Sequence, residues 1–289
     1  MRNKFAFGGR RALPALLILG GLAMIPLAAE EIPFDPVRGL VEVEVTLDGR
    51  VKGNFGIDTG ADRLYIDRAF AEKNRLTFTA KVPQREVVGI EGRSEAQLLK
   101  LRSLQIGHER LYNLTPTAID LGSLIKNKRL GYPDGLLGHE VLRRFYVTID
   151  YPSHKLHLQM REPDFVEKRD YLAIQFENHR HLILVDVVLD DSVKASMILD
   201  YCASYTSITP TLARKLGVAS ELDSRSVIGS VRMGGQALTR DVTVIVTDLS
   251  QIQKTVPRAE FEGILGASFL YGHKITVDYR RRQIYVHQQ

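Results

Sequence analysis

Two aspartates carry the chemistry that this sequence could do. Asp58 stands in FGIDTGADRLYI, from Phe55, after an apolar alternation and inside a Thr59-Gly60 turn. Asp200 stands in the near-echo SMILDYCASYTSI, from Ser196, where Tyr201-Cys202 take the place of Thr-Gly. A carboxylate at the end of an apolar strand is costly unless something holds it. Two carboxylates held against each other cannot both ionise, so they share one proton. The ionised partner can then take a proton from water, and the protonated one can polarise an acceptor. Such a pair titrates as a unit, which points to activity at acidic to mildly acidic pH.

The elements that would bring the two together repeat along the chain. Val41, Val43, Val45 and Leu47 alternate with Glu42, Glu44 and Thr46, the period of a half-buried strand. Asp48-Gly49 marks a hairpin turn, and the next strand runs into Ile57-Asp58. RAFAEKNRL, from Arg68 to Leu76, reads as a short helix. An offset of 142 residues carries Val43, Val45, Leu47 and Asp48 onto Val185, Val187, Leu189 and Asp190. It also carries Asp58 onto Asp200 and Ala71 onto Ala213. An offset of 128 carries DGLLGHEVLRRFYVTIDY (Asp134–Tyr151) onto EGILGASFLYGHKITVDY (Glu262–Tyr279). The first half is therefore 14 residues longer. The polar, Gly-bearing stretch DLGSLIKNKRLGYP (Asp120–Pro133) is the expected place for the extra length. REPDFVEKRD, residues 161–170, reads as a linker between the copies. One aspartate loop per copy predicts a site where the copies meet.

Other chemistry finds little support. His179 and His181 in NHRHL share a strand face but have no third ligand at metal spacing, so they read as a solvated strand end. Ser268 lacks a nucleophile elbow. Asp150 and Asp278 match across the repeat and read as strand-end or turn residues. Cys202 is the one cysteine, which excludes an intrachain disulfide and a thiolate zinc site, and the repeat places no His to activate it. No cofactor and no metal is expected.

The chain has 289 residues, 44% hydrophobic and 25% charged, enough to build a core. Its formal charge of +5 falls to +1 without Arg2, Lys4, Arg10 and Arg11, so nucleic-acid binding is not expected. Those basic residues precede Ala12–Ala29, which holds no charge, and Ala28-Ala29 offer a cleavage site although Leu27 fits it poorly. Residues 1–29 thus read as a signal peptide, with membrane attachment through residues 12–29 if it stays uncut. The body is expected outside the cytoplasm, periplasmic or extracellular.

The sequence resembles the pepsin and retropepsin superfamily of aspartic proteases. The resemblance rests on Asp58-Thr59-Gly60-Ala61, on Gly135-Leu136-Leu137-Gly138, on Gly263-Ile264-Leu265-Gly266 and on the repeat itself. It covers Val37 to the C-terminus and looks nearest to exported bacterial proteins of retropepsin type. It implies an all-β fold of two lobes flanking a cleft, each a retropepsin-like barrel of six to eight strands with short helices. The lobes would span residues 37–160 and 171–289. It implies an aspartic endopeptidase, with Asp58 and Asp200 as the catalytic pair around one water. Thr59, Gly60, Ala61, Tyr201 and Cys202 would be the supporting loops. The substrate would be an extended polypeptide, paired through its backbone and covered by a Gly-bearing hairpin flap. VVGIEGRSEAQ, with Gly89 and Gly92, and VIGSVRMGGQAL, with Gly229 and Gly234, are the candidate flaps. Tyr201-Cys202 departs from the Thr-Gly of the family. Three readings follow: an unusual active dyad in a monomer, a homodimer pairing two copies of Asp58, or an inactive peptide-binding cleft.

Overall fold

The computed structural model describes residues 31–34, 40–79, 85–89, 92–124, 131–168 and 170–288. The expected leader over residues 1–29 and the lobe start at residue 37 lie outside them. The fold is all-β, with short helices only, built as two retropepsin-like lobes.

Each copy begins with a hairpin. Glu42–Leu47 pairs antiparallel with Val51–Ile57, and Leu182–Leu189 with Val193–Leu199. Asp48 and Gly49 take φ of 50° and 68°, the left-handed pair that a two-residue hairpin turn demands. The helix after the aspartate loop is Arg68–Lys73, shorter than expected. Asp67 caps it by accepting from the Phe70 amide, and Arg75 ends it by turning left-handed at φ 52°.

A third sheet lies between the lobes and draws three strands from each copy. Its order is Glu31–Pro33, Lys155–Gln159, Tyr146–Asp150, Lys274–Asp278, Gln283–His287, Tyr171–Gln175. At its centre Tyr146–Asp150 runs antiparallel to Lys274–Asp278, with Thr148 opposite Thr276. These two residues are repeat-mates, and their hydroxyl oxygens lie 2.6 Å apart. A strand paired with its own counterpart about its midpoint marks a local two-fold axis. The outer strands obey the same symmetry: Glu31 faces His157 as Ala173 faces Tyr285. The expected linker contains a helical turn, Phe165–Lys168, with Phe165 packed on Tyr171, Tyr285 and His287.

Strand register corrects the position of the extra residues. Ile66 lies beside Ala118, and Ile208 beside Val246. The offset is thus already 128 at Ala118, before Asp120–Pro133 begins. Upstream, Asp48 Oδ1 accepts from the amides of Arg102 and Ser103, as Asp190 Oδ1 accepts from Gly229 and Ser230. The extra length therefore falls between Leu76 and Arg102. That interval contains the hairpin of Arg85–Val88 and Arg93–Lys100, which the second lobe lacks among its described residues.

Candidate active site

Asp58 and Asp200 are positioned by the same local device. Gly135–Leu137 lies parallel to the strand ending at Ile57, and Gly263–Leu265 parallel to the strand ending at Leu199. The Asp58 amide donates to Leu137 O at 3.1 Å and the Asp200 amide to Leu265 O at 3.0 Å. Glycine is required where these strands thread behind the loops. A Cβ on Gly135 would lie 2.3 Å from the Phe55 ring, and one on Gly263 2.5 Å from Met197 Cε and Ser207 O.

The two carboxylates converge over Gly60. A methyl group there would stand 2.8 Å from Asp200 Oδ2 and 3.3 Å from Asp58 Oδ1, so no side chain fits between them. Asp58 Oδ1 accepts from the Gly60 and Ala61 amides at 2.8 and 2.9 Å. Asp200 Oδ1 accepts from the Cys202 amide at 2.8 Å. Burial raises the Asp58 pKa to about 8, aided by the Asp200 charge and opposed by the Gly60 and Ala61 amides and the Cys202 thiol. Burial raises Asp200 to about 6 against the Cys202 and Gly60 amides. Each carboxyl is thereby held above the ordinary carboxylate range, as a proton-sharing pair must be.

The loops are locked from one side. Thr59 Oγ1 donates to Leu199 O at 2.8 Å and accepts from the Tyr201 amide at 3.1 Å. Tyr201 returns no such bond. Its ring is fully buried and its hydroxyl has no hydrogen-bond partner among the described residues, as is true of the hydroxyls of Tyr151 and Tyr279 nearby. Tyr279 feels both aspartates and Tyr151 feels Asp200. Cys202 is partly buried with its thiol against Asp58; burial and the two aspartate charges keep it protonated. It is therefore a weak donor here and not a nucleophile.

The first candidate flap lies beside the Asp58 loop. The Gly89 amide donates to Gly92 O at 2.9 Å; residues 90–91 lie outside the described residues. A Cβ on Gly92 would come within 2.6 Å of Ser123 O, so the hairpin needs glycine to lie down there. Val87 and Ala96 pack with Ala61, Tyr65, Ile119 and Leu121, next to the Asp58 loop. Arg93 Nη2 reaches Gln251 Oε1 of the second-lobe helix Ser250–Thr255 at 3.1 Å. The second candidate flap lies elsewhere. Gly229 is bound to Asp190, and Gly234 turns at φ 55° against Leu172 and Ile174 of the central sheet. Its hairpin is the counterpart of Leu104–Ile106 and Glu109–Leu111, with Gly107 at the matching turn, so it frames its own lobe rather than covering the aspartates.

One residue reads differently from a solvated strand end. His181 is partly buried against the first-lobe loop, where it contacts Gly60 and faces Asp62. Burial lowers its pKa, opposed by the Asp62 charge and the Gly60 bond. Only lobe-to-lobe packing places it there, so no local motif announced it. Ser268 is structural, donating to Thr243 O and accepting from the Thr206 amide. Asp150 and Asp278 accept amides of the turns that follow them. A cavity of about 570 Å³ on the second lobe, bounded by Asp186, Lys194, Arg232 and Glu262, is lined by neither aspartate loop.

Comparison with known proteins agrees with this geometry over one lobe. No curated protein matches the chain. Residues 43–141, which hold the Asp58 loop, the hairpin with Gly89 and Gly92, and Gly135–Gly138, match the family model described as aspartyl protease, and so support the retropepsin-like superfamily for that lobe.

Proposed function

We propose that the chain is an aspartic endopeptidase whose single-chain dyad is Asp58 and Asp200. The observation that carries this reading is the convergence of both carboxylates on Gly60, Asp58 buried and Asp200 partly buried, each raised above its usual range. In the singly protonated pair, the ionised carboxylate removes a proton from a water lying between the two. The protonated carboxyl donates to the scissile carbonyl oxygen, and the water oxygen attacks its carbon. The tetrahedral intermediate then expels the amine, which takes a proton back from the dyad. The hairpin carrying Gly89 and Gly92 would lie over an extended polypeptide and exclude bulk water. Residues 1–29 would direct export.

A second reading is favoured by one observation. Tyr201-Cys202 removes half of the cross-loop lock and puts a thiol beside Asp58. A cleft altered in this way could hold extended peptides without cutting them. The experiment is hydrolysis of a mixed peptide library by the wild type and by Asp58→Asn and Asp200→Asn. Loss of cleavage in both variants supports the single-chain dyad. Cleavage surviving in Asp200→Asn alone would move the pair to two copies of Asp58 in a homodimer. Binding without cleavage in the wild type would support the peptide-binding reading.

A further inference from the structure

The aspartate loop of the first lobe is held by two kinds of partner. The carbonyls of Ala61, Asp62 and Arg63 accept from the amides of His139, Glu140 and Gly138 at 2.8, 3.1 and 3.2 Å, all within the same lobe. The Gly60 carbonyl is held from the other lobe, by the ring of His181. That bond raises the ring's affinity for a proton, as only an acceptor does, so the imidazole donates and Gly60 O accepts. Gly60 O and the Ala61 N–H belong to one planar peptide group. The Ala61 amide in turn donates to Asp58 Oδ1 at 2.9 Å. His181 thus reaches Asp58 through a single peptide unit, whose two hydrogen bonds polarise each other.

The second lobe presents His181 on a fixed mount. It stands with Arg180 in the turn between Glu177–His179 and Leu182–Leu189, and Arg180 takes a φ of 58°. The two preceding residues tie that turn down: His179 Nε2 to Pro257 O at 3.2 Å and Arg180 Nη1 to Thr255 O at 3.0 Å. The repeat supplies an independent comparison. At the offset of 142 the counterpart of His181 is Gly39, which has no side chain to donate. In the second aspartate loop the counterpart of the Ala61 amide, that of Ala203, points to Asp200 O at 3.4 Å. The loop that receives an imidazole keeps this amide on its carboxylate, and the other turns it to a carbonyl.

We propose that His181 is a positioning residue of the dyad, holding the Gly60–Ala61 peptide from the opposite lobe so that the Ala61 amide stays on Asp58. It supplies from the second lobe the part of the lock that Tyr201 does not. This rests on the dyad reading, but the titration of Asp58 tests it without a substrate. The charged and titratable groups facing the ring are Asp62, Arg63, Arg180 and His139. Asp62 is already engaged by Arg63 and by the Tyr65 hydroxyl. Burial lowers the His181 pKa, so the ring is neutral where Asp58 titrates. Its loss therefore removes a donor and not a charge. Carboxyl NMR of the full chain with isotope-labelled aspartate follows the titration, the Asp58 resonance being the one absent from Asp58→Asn. In His181→Leu the Asp58 midpoint should rise by about half a pH unit or more, because a weakened amide bond favours the protonated carboxyl. His181→Gln, which keeps an N–H, should restore most of it. His181→Ala carries the same expectation should the leucine variant fail to fold. An unmoved midpoint without the ring would overturn the proposal, as would a rise that glutamine fails to reverse. In peptide cleavage by His181→Leu, kcat should fall about tenfold with KM changed by less than about twofold. A rise in KM alone would make His181 a substrate contact and overturn the assignment. Absence of cleavage by the wild type would sink the proposed function and leave the titration to decide the role of His181.

Discussion

At the scale of the residue, the dyad combines charge burial with few donors, and its titration follows from that. Both aspartates are raised by burial, Asp200 to about 6 and Asp58 to about 8. Below the lower value both carry protons and no base remains; above the higher one neither can donate. Peptidase activity should therefore trace a bell in kcat/KM against pH with its limbs near those values, closer to neutrality than two ordinary carboxylates would give. A profile already falling above pH ~5 would contradict the burial. The same shift has a cost in stability. The unfolded chain releases these protons near the ordinary aspartate value of 3.8, the folded chain only at higher pH. The unfolded state thus binds fewer protons through this interval, and folding weakens as pH rises from about 4 to about 8. Asp58→Asn/Asp200→Asn should therefore gain stability relative to the wild type as pH rises from about 4 to about 8. Thermal unfolding at the two pH values measures this.

At the scale of the element, one hairpin distinguishes the lobes. Gly92 lies so close to Ser123 O that Gly92→Ala must lift the hairpin or shift the helical turn Leu121–Leu124. The hairpin is an addition to its lobe, so the expected effect is a tenfold or greater loss of kcat/KM with a stability change within ~1 kcal/mol. A large drop in stability with normal catalysis per folded molecule would show that the hairpin supports the core instead. This element also marks what could be read in advance. The Asp48-Gly49 turn, the aspartate loops and the threading glycines are local patterns, each fixed by its own few residues. Their repetition was enough to bring Asp58 opposite Asp200. The hairpin's uniqueness was hidden, because two offsets give the total excess length but not its position. Pairing of Ala118 with Ile66 was needed to locate it. For the same reason the second Gly-rich hairpin looked like a flap from composition, although its register makes it part of a lobe wall. His181 and the buried hydroxyls of Tyr151, Tyr201 and Tyr279 depend on packing between halves, which no local pattern records.

At the scale of the whole molecule, the two lobes share a sheet, and this decides how the site is held. Asp58 and Asp200 come from different lobes, so their spacing is only as firm as the contact between lobes. Thr59 supplies two hydrogen bonds across that boundary, worth ~1 kcal/mol each. The central sheet supplies much more. Its outermost strands repeat as well: Ile32 and Phe34 are matched by Ile174 and Phe176 at the same offset of 142. Phe34 packs edge-on against Tyr151, and Phe176 against Tyr279, the two tyrosines that follow the central strands. Both phenylalanines are buried, at 7% and 2% exposure, so they should act alike although one stands at the start of the described chain. Phe34→Ala and Phe176→Ala should each cost ~3–4 kcal/mol in urea unfolding. Each should lower the midpoint of a single transition for the whole chain, because the sheet they clamp belongs to both lobes. Two separated transitions, with Phe34→Ala moving only the first, would mean that the lobes unfold alone. The sheet would then be a contact between domains, and the spacing of the aspartates would rest on Thr59.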